Sequence, residues 1–156
     1  MKILVIQTKM GMGDMIIFLS YIHAIAQKEN LPVSILVKES SQAIDILSQD
    51  KHIDKIIILD RKKKIGKHNG ILGFFSIVKE LKKENYEKVY IFNSSIRYAL
   101  LAKFAGIKNI FQYPLFKKSG QNIVKTAKKF TEKFLNVSVS TKSKIIIDKK
   151  LILETK

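Results

Sequence analysis

An aspartate beside a glycine turn is the residue of this sequence best placed to do chemistry. An apolar run ends at Gln7, two glycines follow at Gly11 and Gly13, and Asp14 opens a second apolar run. Glycine lets a ligand approach the backbone closely, and a carboxylate there can take the proton of an attacking hydroxyl as a general base. An aspartate at this position is also a good helix N-cap, so both roles for Asp14 stay open.

The same turn makes a poor phosphate-binding loop. A dinucleotide fingerprint would need a third glycine where Ile16 stands, and it would place Asp14 beside the pyrophosphate. A P-loop is excluded because no G-K-[ST] follows the glycines. The second strand of a dinucleotide-binding domain would also end in an acidic residue, where Lys38 stands before Glu39. A dinucleotide-binding Rossmann domain is therefore kept only as an alternative.

Two groups of cationic side chains follow apolar runs. Arg61, Lys62, Lys63 and Lys64 form the segment RKKK, and Arg97 stands early in a helical pattern. These side chains suit phosphate or carboxylate groups, with arginine able to bind in bidentate fashion. A solvated charged loop and a surface salt bridge are the plainer alternatives. The net charge of +16 favours an anionic partner, although the lysine-rich composition could also reflect the base composition of the genome.

Other composition features narrow the class of protein. The chain has 156 residues, 46% of them hydrophobic, which suits one globular domain. It has no cysteine, and its three histidines, His23, His52 and His68, have no partner evident in the sequence, so no metal site is predicted. The longest apolar stretch is shorter than the about 20 residues that span a bilayer, and no signal peptide precedes the first strand. The sequence predicts a cytoplasmic protein.

Two aromatic stretches lie among lysines and could contact an anionic membrane. Phe74 and Phe75 come directly after the basic segment, while Phe130 and Phe134 lie four residues apart in a lysine-rich helical pattern. Aromatic side chains beside cations suit a bilayer surface. A core position is the alternative for each pair.

Strand and helix patterns alternate along the chain. Short β-branched apolar runs predict strands over residues 2–7, 33–38, 53–59, 88–92 and 109–113, with a sixth strand over 144–147. Helical patterns cover residues 14–28, 40–48, 71–84, 95–105 and 120–135, with Asp14 at or near the N-cap of the first. This alternation predicts an α/β fold, a Rossmann-like parallel sheet of at least five strands with helices on both faces. Ligands of such sheets bind beyond the carboxyl ends of the strands.

Three blocks of the sequence together resemble glycosyltransferase family 9, the ADP-heptose:lipopolysaccharide heptosyltransferases. They are MKILVIQTKMGMGDMIIFLSYIHAIAQ, HIDKIIILDRKKK and NYEKVYIFNSSIRYALLAKFAGIKNIFQY. The resemblance implies the N-terminal half of a GT-B fold, with residues 1–142 as the acceptor-binding domain and 143–156 as the start of a linker or a tail. The second, donor-binding domain of the family has no counterpart in this chain, so we expect no turnover by the chain alone and a separate chain as a possible source of that domain.

The resemblance also implies roles for the residues singled out above. Asp14 matches the general base of an inverting sugar transfer. Gly11, Gly13, Arg61, Lys62, Lys63, Lys64 and Arg97 would bind the acceptor, a phosphorylated glycolipid of the lipopolysaccharide core or a similar one. The donor would be a nucleotide sugar such as ADP-heptose, with no other cofactor and no metal, and the protein would be peripheral on the inner face of the membrane. The alternative is a basic, non-enzymatic module for nucleic acid or anionic surfaces, although no nucleic-acid-binding motif is present and nucleic acid is not the expected partner.

Overall fold

Five strands and five α-helices alternate along the chain. The computed structural model describes residues 1–9, 11–61, 66–114 and 122–145. The elements are β1 (Ile3–Ile6), α1 (Met12–Glu29), β2 (Val33–Val37), a 3-10 turn (Glu39–Ser41), α2 (Ala43–Leu47), β3 (Ile53–Ile58), α3 (Gly70–Glu84), β4 (Lys88–Ile91), α4 (Ile96–Phe104), β5 (Asn109–Gln112) and α5 (Ile123–Leu135).

The strands form one parallel sheet in the order β3-β2-β1-β4-β5. This is the strand order of a Rossmann-like domain, in which the chain reverses its direction of travel across the sheet between β1 and β4. The predicted α/β fold with at least five parallel strands is confirmed. The reversal leaves a crevice at the carboxyl ends of β1 and β4, where such folds bind their ligands.

The two faces of the sheet each support a hydrophobic core. Because side chains alternate along a strand, Ile3 and Val5 of β1 point to one face and Leu4 and Ile6 to the other. The first face packs against α1, α2 and α5. The second packs against α3 and α4. The helices therefore cover both faces, as the alternating pattern predicts.

The first helix begins two residues earlier than the sequence predicts. Gly11 is its N-cap, with φ 96° and ψ 155°, and Asp14 is the third residue of the helix, with no side-chain capping hydrogen bond. Asp14 therefore lies near the N-cap, as predicted, but the interpretation of Asp14 as the capping residue itself is wrong. A positive φ of this size favours glycine, so Gly11 ends the turn and Gly13, which reads as part of the turn in the sequence, is already helical.

The C-terminal part of the chain differs from the sequence-based predictions at the sixth strand, the last helix and Phe130. Lys144 and Ile145 are not in a strand, and the rest of the predicted sixth strand lies outside the described residues, as does most of the segment 143–156. The last helix begins at Ile123 rather than at residue 120, and 115–121 also lie outside. Phe130 is buried against Phe92 and Tyr113, so its membrane contact is corrected to a core position.

Candidate functional site

The turn between β1 and α1 lies at the carboxyl edge of the sheet, beside the crevice. Asp14 is half-buried in the first turn of α1 and makes no hydrogen bond or ion pair with the described residues. A Cβ placed on Gly13 would meet no heavy atom within 4 Å. The packing of the described residues therefore does not require glycine at position 13.

The N-terminus of an 18-residue helix creates positive potential around Asp14. A general base acts in its carboxylate form. A capping aspartate would accept a hydrogen bond from a backbone N–H through one carboxylate oxygen. Asp14 makes no such bond with the described residues, so both of its oxygens can accept a hydrogen bond from a hydroxyl group. The geometry fits a base better than it fits a helix cap.

A polar network that the sequence does not reveal joins the ends of three strands. Asn93 Nδ2 donates to Thr8 Oγ1 at 2.9 Å, which ties the segment after β4 to the segment after β1. Gln112 Nε2 donates to the carbonyl oxygens of Asn93 and Ser95, at 2.8 and 2.9 Å. The network links the segments that lead into α1, which carries Asp14, and into α4, which carries Arg97. Only the position of these residues after strands could have drawn attention to them.

A buried amide lies next to this network. The side chain of Gln7, at the end of β1, is fully buried, and neither its Nε2 nor its Oε1 has a hydrogen-bond partner among the described residues. Buried amides are rarely left without partners. Gln7 is therefore a second residue at this edge whose importance the sequence does not show.

Arg97 lies in the first turn of α4, at the same edge. Its guanidinium carbon is 5.0 Å from the ring centroid of Phe74, a cation–π contact. One terminal nitrogen is buried without a hydrogen-bond partner among the described residues. Burial and the nearby charge of Arg61 both lower the pKa of Arg97. The salt bridge that was the alternative for Arg97 is not formed within the described ranges.

The basic segment after β3 is closed at its base by His68. The backbone N–H of Asp60 donates to His68 Nδ1 at 3.0 Å, and the N–H of His68 donates back to the Asp60 carbonyl at 2.8 Å. His68 is buried. Gly73 of α3 packs directly against it, because a Cβ there would lie 2.2 Å from the His68 carbonyl carbon. Lys62, Lys63 and Lys64 lie outside the described residues, so their predicted role stays a prediction.

An apolar surface lies on the helices next to the arginines. We call it the α3–α4 apolar face; its exposed residues are Ile71, Leu72, Phe75, Ile96, Leu100 and Phe104. Phe75 packs edge-to-face on Phe74 and Phe104, with ring centroids 5.5 and 6.1 Å apart. Leu72 is 87% exposed and Ile71 is 76% exposed. Contiguous exposed apolar surface of this kind marks a contact site.

The described helices include none that is long and apolar enough to cross a bilayer. The expectation that the histidines lack partners is wrong for all three: His23 and His52 contact Asp50, and His68 accepts the Asp60 N–H.

The chain has the fold of a Rossmann-like α/β domain, and the solved structures that share this fold are glycosyltransferases. No protein-family model matches the sequence, and no curated protein matches it. Solved structures do. The glycosyl transferase family 9 structure from Veillonella parvula DSM 2008 matches 98% of this chain, with a TM-score of 0.70 and 18% identity.

Two Escherichia coli enzymes share the same fold. The heptosyltransferase WaaC with ADP matches 88% of this chain with a TM-score of 0.59 and 16% identity. The ADP-heptose LPS heptosyltransferase II matches 72%, with a TM-score of 0.54 and 22% identity. The predicted resemblance is confirmed at the level of the fold.

This chain spans less than half of each of these structures. It covers 47% of the Veillonella parvula chain, 48% of the WaaC chain and 30% of the heptosyltransferase II chain. The likeness therefore concerns less than half of each of those chains.

Proposed function

We propose that this chain is the acceptor-binding domain of an inverting glycosyltransferase. The transferred sugar is heptose or a related sugar, the donor is a nucleotide sugar such as ADP-heptose, and the acceptor is a phosphorylated glycolipid of the lipopolysaccharide-core type. The observation that carries the proposal is the unpaired, half-buried carboxylate of Asp14, which stands behind an open glycine turn at the carboxyl edge of the sheet.

The chemistry needs a single base on this domain. Asp14 accepts the proton of the acceptor hydroxyl while the hydroxyl oxygen attacks the anomeric carbon of the donor sugar. The bond from that carbon to the nucleoside diphosphate breaks, and the diphosphate leaves with the electron pair. Attack from the opposite side inverts the anomeric centre. Because the diphosphate is a good leaving group, no second carboxylate is required here, unlike the paired carboxylates of a glycosidase.

The acceptor phosphates would bind to Arg61 and Arg97. The charge of Arg61 acts on Arg97, and one nitrogen of Arg97 is buried and lacks a partner among the described residues. A phosphate placed between them would relieve their repulsion and accept charge-assisted hydrogen bonds. Lys62, Lys63 and Lys64 follow Arg61 directly in the sequence and would add to the same site.

The α3–α4 apolar face would bring the domain to the membrane that carries a lipid-anchored acceptor. It lies beside Arg97, and the exposed lysines Lys67, Lys79 and Lys103 belong to the same part of the fold. Apolar side chains next to cations match an anionic bilayer surface. The donor site is expected on a second domain, since this chain spans less than half of the solved structures that share its fold.

The experiment compares two soluble acceptors by calorimetric titration of the chain. One is a deacylated lipid-A-type disaccharide with its phosphates, and the other is its dephosphorylated counterpart. We expect the phosphorylated form to bind more tightly. Arg61→Ala and Arg97→Ala should each weaken its binding by about 10- to 100-fold, the worth of a charged hydrogen bond, and should have little effect on the dephosphorylated form. Lys108→Ala is the control, because Lys108 is exposed at the opposite edge of the sheet.

The non-enzymatic alternative gives a different result. A basic module for nucleic acid would bind duplex DNA of any sequence with a steep salt dependence and would ignore the glycan. Tight DNA binding together with no measurable binding of either disaccharide would overturn the glycosyltransferase proposal.

A further inference from the structure

Two histidines and a buried aspartate meet at the edge of the sheet opposite the candidate active site. His23 lies on α1, while Asp50 and His52 lie in the turn between α2 and β3. The Asp50 side chain is only 1% exposed, and those of His23 and His52 are 11% and 21% exposed. His23 is 27 positions from Asp50 in the sequence, and the fold brings it to the turn that holds Asp50 and His52, at the amino ends of β2 and β3.

The nitrogen and oxygen atoms of this cluster converge on one point. His23 Nε2 lies 2.6 Å from Asp50 Oδ2, and His52 Nδ1 lies 3.2 Å from Asp50 Oδ1. One nitrogen from each histidine and one carboxylate oxygen all lie within 4.8 Å of one another. The two imidazole rings lie side by side, with centroids 4.6 Å apart and planes 38° apart.

The backbone holds two of these residues firmly. The His52 N–H donates to Asp50 Oδ1 at 3.0 Å, which closes a local turn around the carboxylate. The carbonyl oxygens of Asp50 and His52 accept from the N–H groups of Ile53 and Val33, each at 2.9 Å. Asp50 and His52 are thus anchored to the first residues of β3 and β2. The cluster is therefore preorganised by the fold.

We propose that His23, Asp50 and His52 bind a divalent transition-metal ion, with Zn²⁺ as the preferred ion. Two imidazole nitrogens and a carboxylate oxygen are donors that Zn²⁺ accepts, and water would complete a tetrahedral shell. Ligand atoms about 2.0–2.1 Å from Zn²⁺ in a tetrahedron are about 3.3 Å apart. The cluster already approaches this spacing, so the ion needs only a small widening of the His23–Asp50 contact. Each neutral imidazole would bind the ion through the lone pair of the nitrogen that faces Asp50 and carry its proton on the other ring nitrogen.

The ion would act as a structural link. Asp50 and His52 lie directly before β3, which is an edge strand with a half-exposed burial pattern. His23 belongs to α1, which packs in the core of the same face. A bound ion would fasten the edge strand to that core through metal–ligand bonds. It would not take part in sugar transfer, because the candidate active site lies at the other ends of the strands.

The first test uses the unaltered chain, without an affinity tag and after removal of metals by a chelator. The chain has only three histidines, His23, His52 and His68. In a long-range ¹H–¹⁵N spectrum, one equivalent of Zn²⁺ should shift the ring signals of His23 and His52 and leave those of His68 in place. At a free Zn²⁺ concentration about 100-fold above Kd, the Tm should rise by about 5–10 °C.

The second test uses variants and Co²⁺ as a spectroscopic probe. The d–d absorption bands of tetrahedral Co²⁺ should appear with one equivalent. His52→Gln and Asp50→Asn should each weaken binding at least tenfold, and circular dichroism shows whether each variant remains folded. Asp45→Asn, on the exposed face of α2, and His68→Gln are the controls and should bind as the unaltered chain does. No saturable binding of Zn²⁺ or Co²⁺, shifts in His68 alone, or undiminished binding by folded His52→Gln would each overturn the proposal.

Discussion

Asn93 donates a 2.9 Å hydrogen bond to Thr8 and thereby joins the loops that follow β4 and β1. The same side chain accepts the backbone N–H of Ser95 at 2.8 Å through its Oδ1. Asn93 thus links the approach to Asp14 with the start of the helix that carries Arg97. The two halves of the candidate site are held in register by one amide.

We expect Asn93→Ala to lower the free energy of unfolding by about 1–3 kcal/mol, because it removes two hydrogen bonds and leaves polar partners exposed or unsatisfied. Acceptor affinity should fall as well, since the loops after β1 and β4 lose their link. Urea unfolding and calorimetric titration measure the two effects. Asn109→Ala is the matched control: Asn109 Nδ2 bonds the Glu87 carbonyl at the far edge, so acceptor affinity should stay the same.

Asp14→Asn tests the general base. The donor-binding domain of a heptosyltransferase would be added, on the same polypeptide or as a second chain, so that turnover can be measured. We expect kcat to fall by roughly 10²–10⁴-fold, the usual worth of a general base, with acceptor affinity nearly unchanged. Stability should change little, because Gly11 and not Asp14 caps the helix. A fully active Asp14→Asn enzyme would leave Asp14 without a catalytic role.

Gly13→Ala tests whether glycine at position 13 is required for acceptor binding or for the stability of the fold. An alanine Cβ would meet open space, and alanine is more favourable than glycine in a helix by up to about 1 kcal/mol. We expect unchanged or higher stability together with weaker acceptor binding. Gly11→Ala is the contrasting variant, because the φ of 96° at Gly11 strains any residue with a side chain. Its free energy of unfolding should fall by more than about 0.4–1 kcal/mol. Unchanged acceptor affinity of Gly13→Ala would show that the acceptor does not approach this residue.

The α3–α4 apolar face should govern binding to membranes. Sedimentation with vesicles of phosphatidylcholine and phosphatidylglycerol measures it. We expect Leu72→Ser with Phe75→Ser to weaken vesicle binding at least about tenfold, since burial of each large apolar side chain contributes about 1.5–3 kcal/mol. Ile44→Ser, at an exposed apolar residue of α2, should bind as the unaltered chain does. If both proteins bind equally, the face does not contact the bilayer.

Glu84 should make stability depend on acidic pH. Its hydrogen bonds to Lys55 and to Lys2, the latter at 3.0 Å, hold the pKa of Glu84 below its ordinary value. The folded state therefore binds this proton less readily than the unfolded state. The resulting stabilisation is present above the unfolded pKa, about 4.3, and is lost as the pH falls through the folded pKa.

The comparison with Glu84→Gln isolates this contribution. At pH 7 the variant should be less stable by under about 1 kcal/mol, the range of partly exposed ion pairs. At pH 3 the difference in urea midpoint between the two proteins should shrink. A difference that stays constant between pH 7 and pH 3 would argue against the ion pairs as its source.

The sheet could be predicted because the residues within each strand are enough to identify it as a strand. Short β-branched runs such as ILVI in β1 and VSILV in β2 are buried on both faces and have few other interpretations. The start of α1 could not be predicted, because a glycine at position 13 is compatible both with a loop and with the first turn of a helix. Only the backbone angle of Gly11 decides which glycine ends the turn.

Side-chain contacts between distant parts of the sequence could not be predicted, for a different reason. His23 and Asp50 are 27 positions apart, and Thr8 and Asn93 are 85 apart. Nothing local in either residue indicates its partner; the contacts exist only once the sheet order brings the elements together. Asp14, by contrast, could be selected from sequence because its glycine neighbours and its place after a strand are local features.

The central position of β1 in the sheet affects the order in which the strands pair during folding. Val5 pairs with Ile35 of β2 on one side and with Tyr90 of β4 on the other. During translation, β1 therefore leaves the ribosome long before β4 is made. Its open edge must wait for β4, and closing so long a loop is slow. Pulse-labelling hydrogen exchange should find the β1–β2 amides protected before those of β4 and β5, with the newborn chain open to chaperones in between.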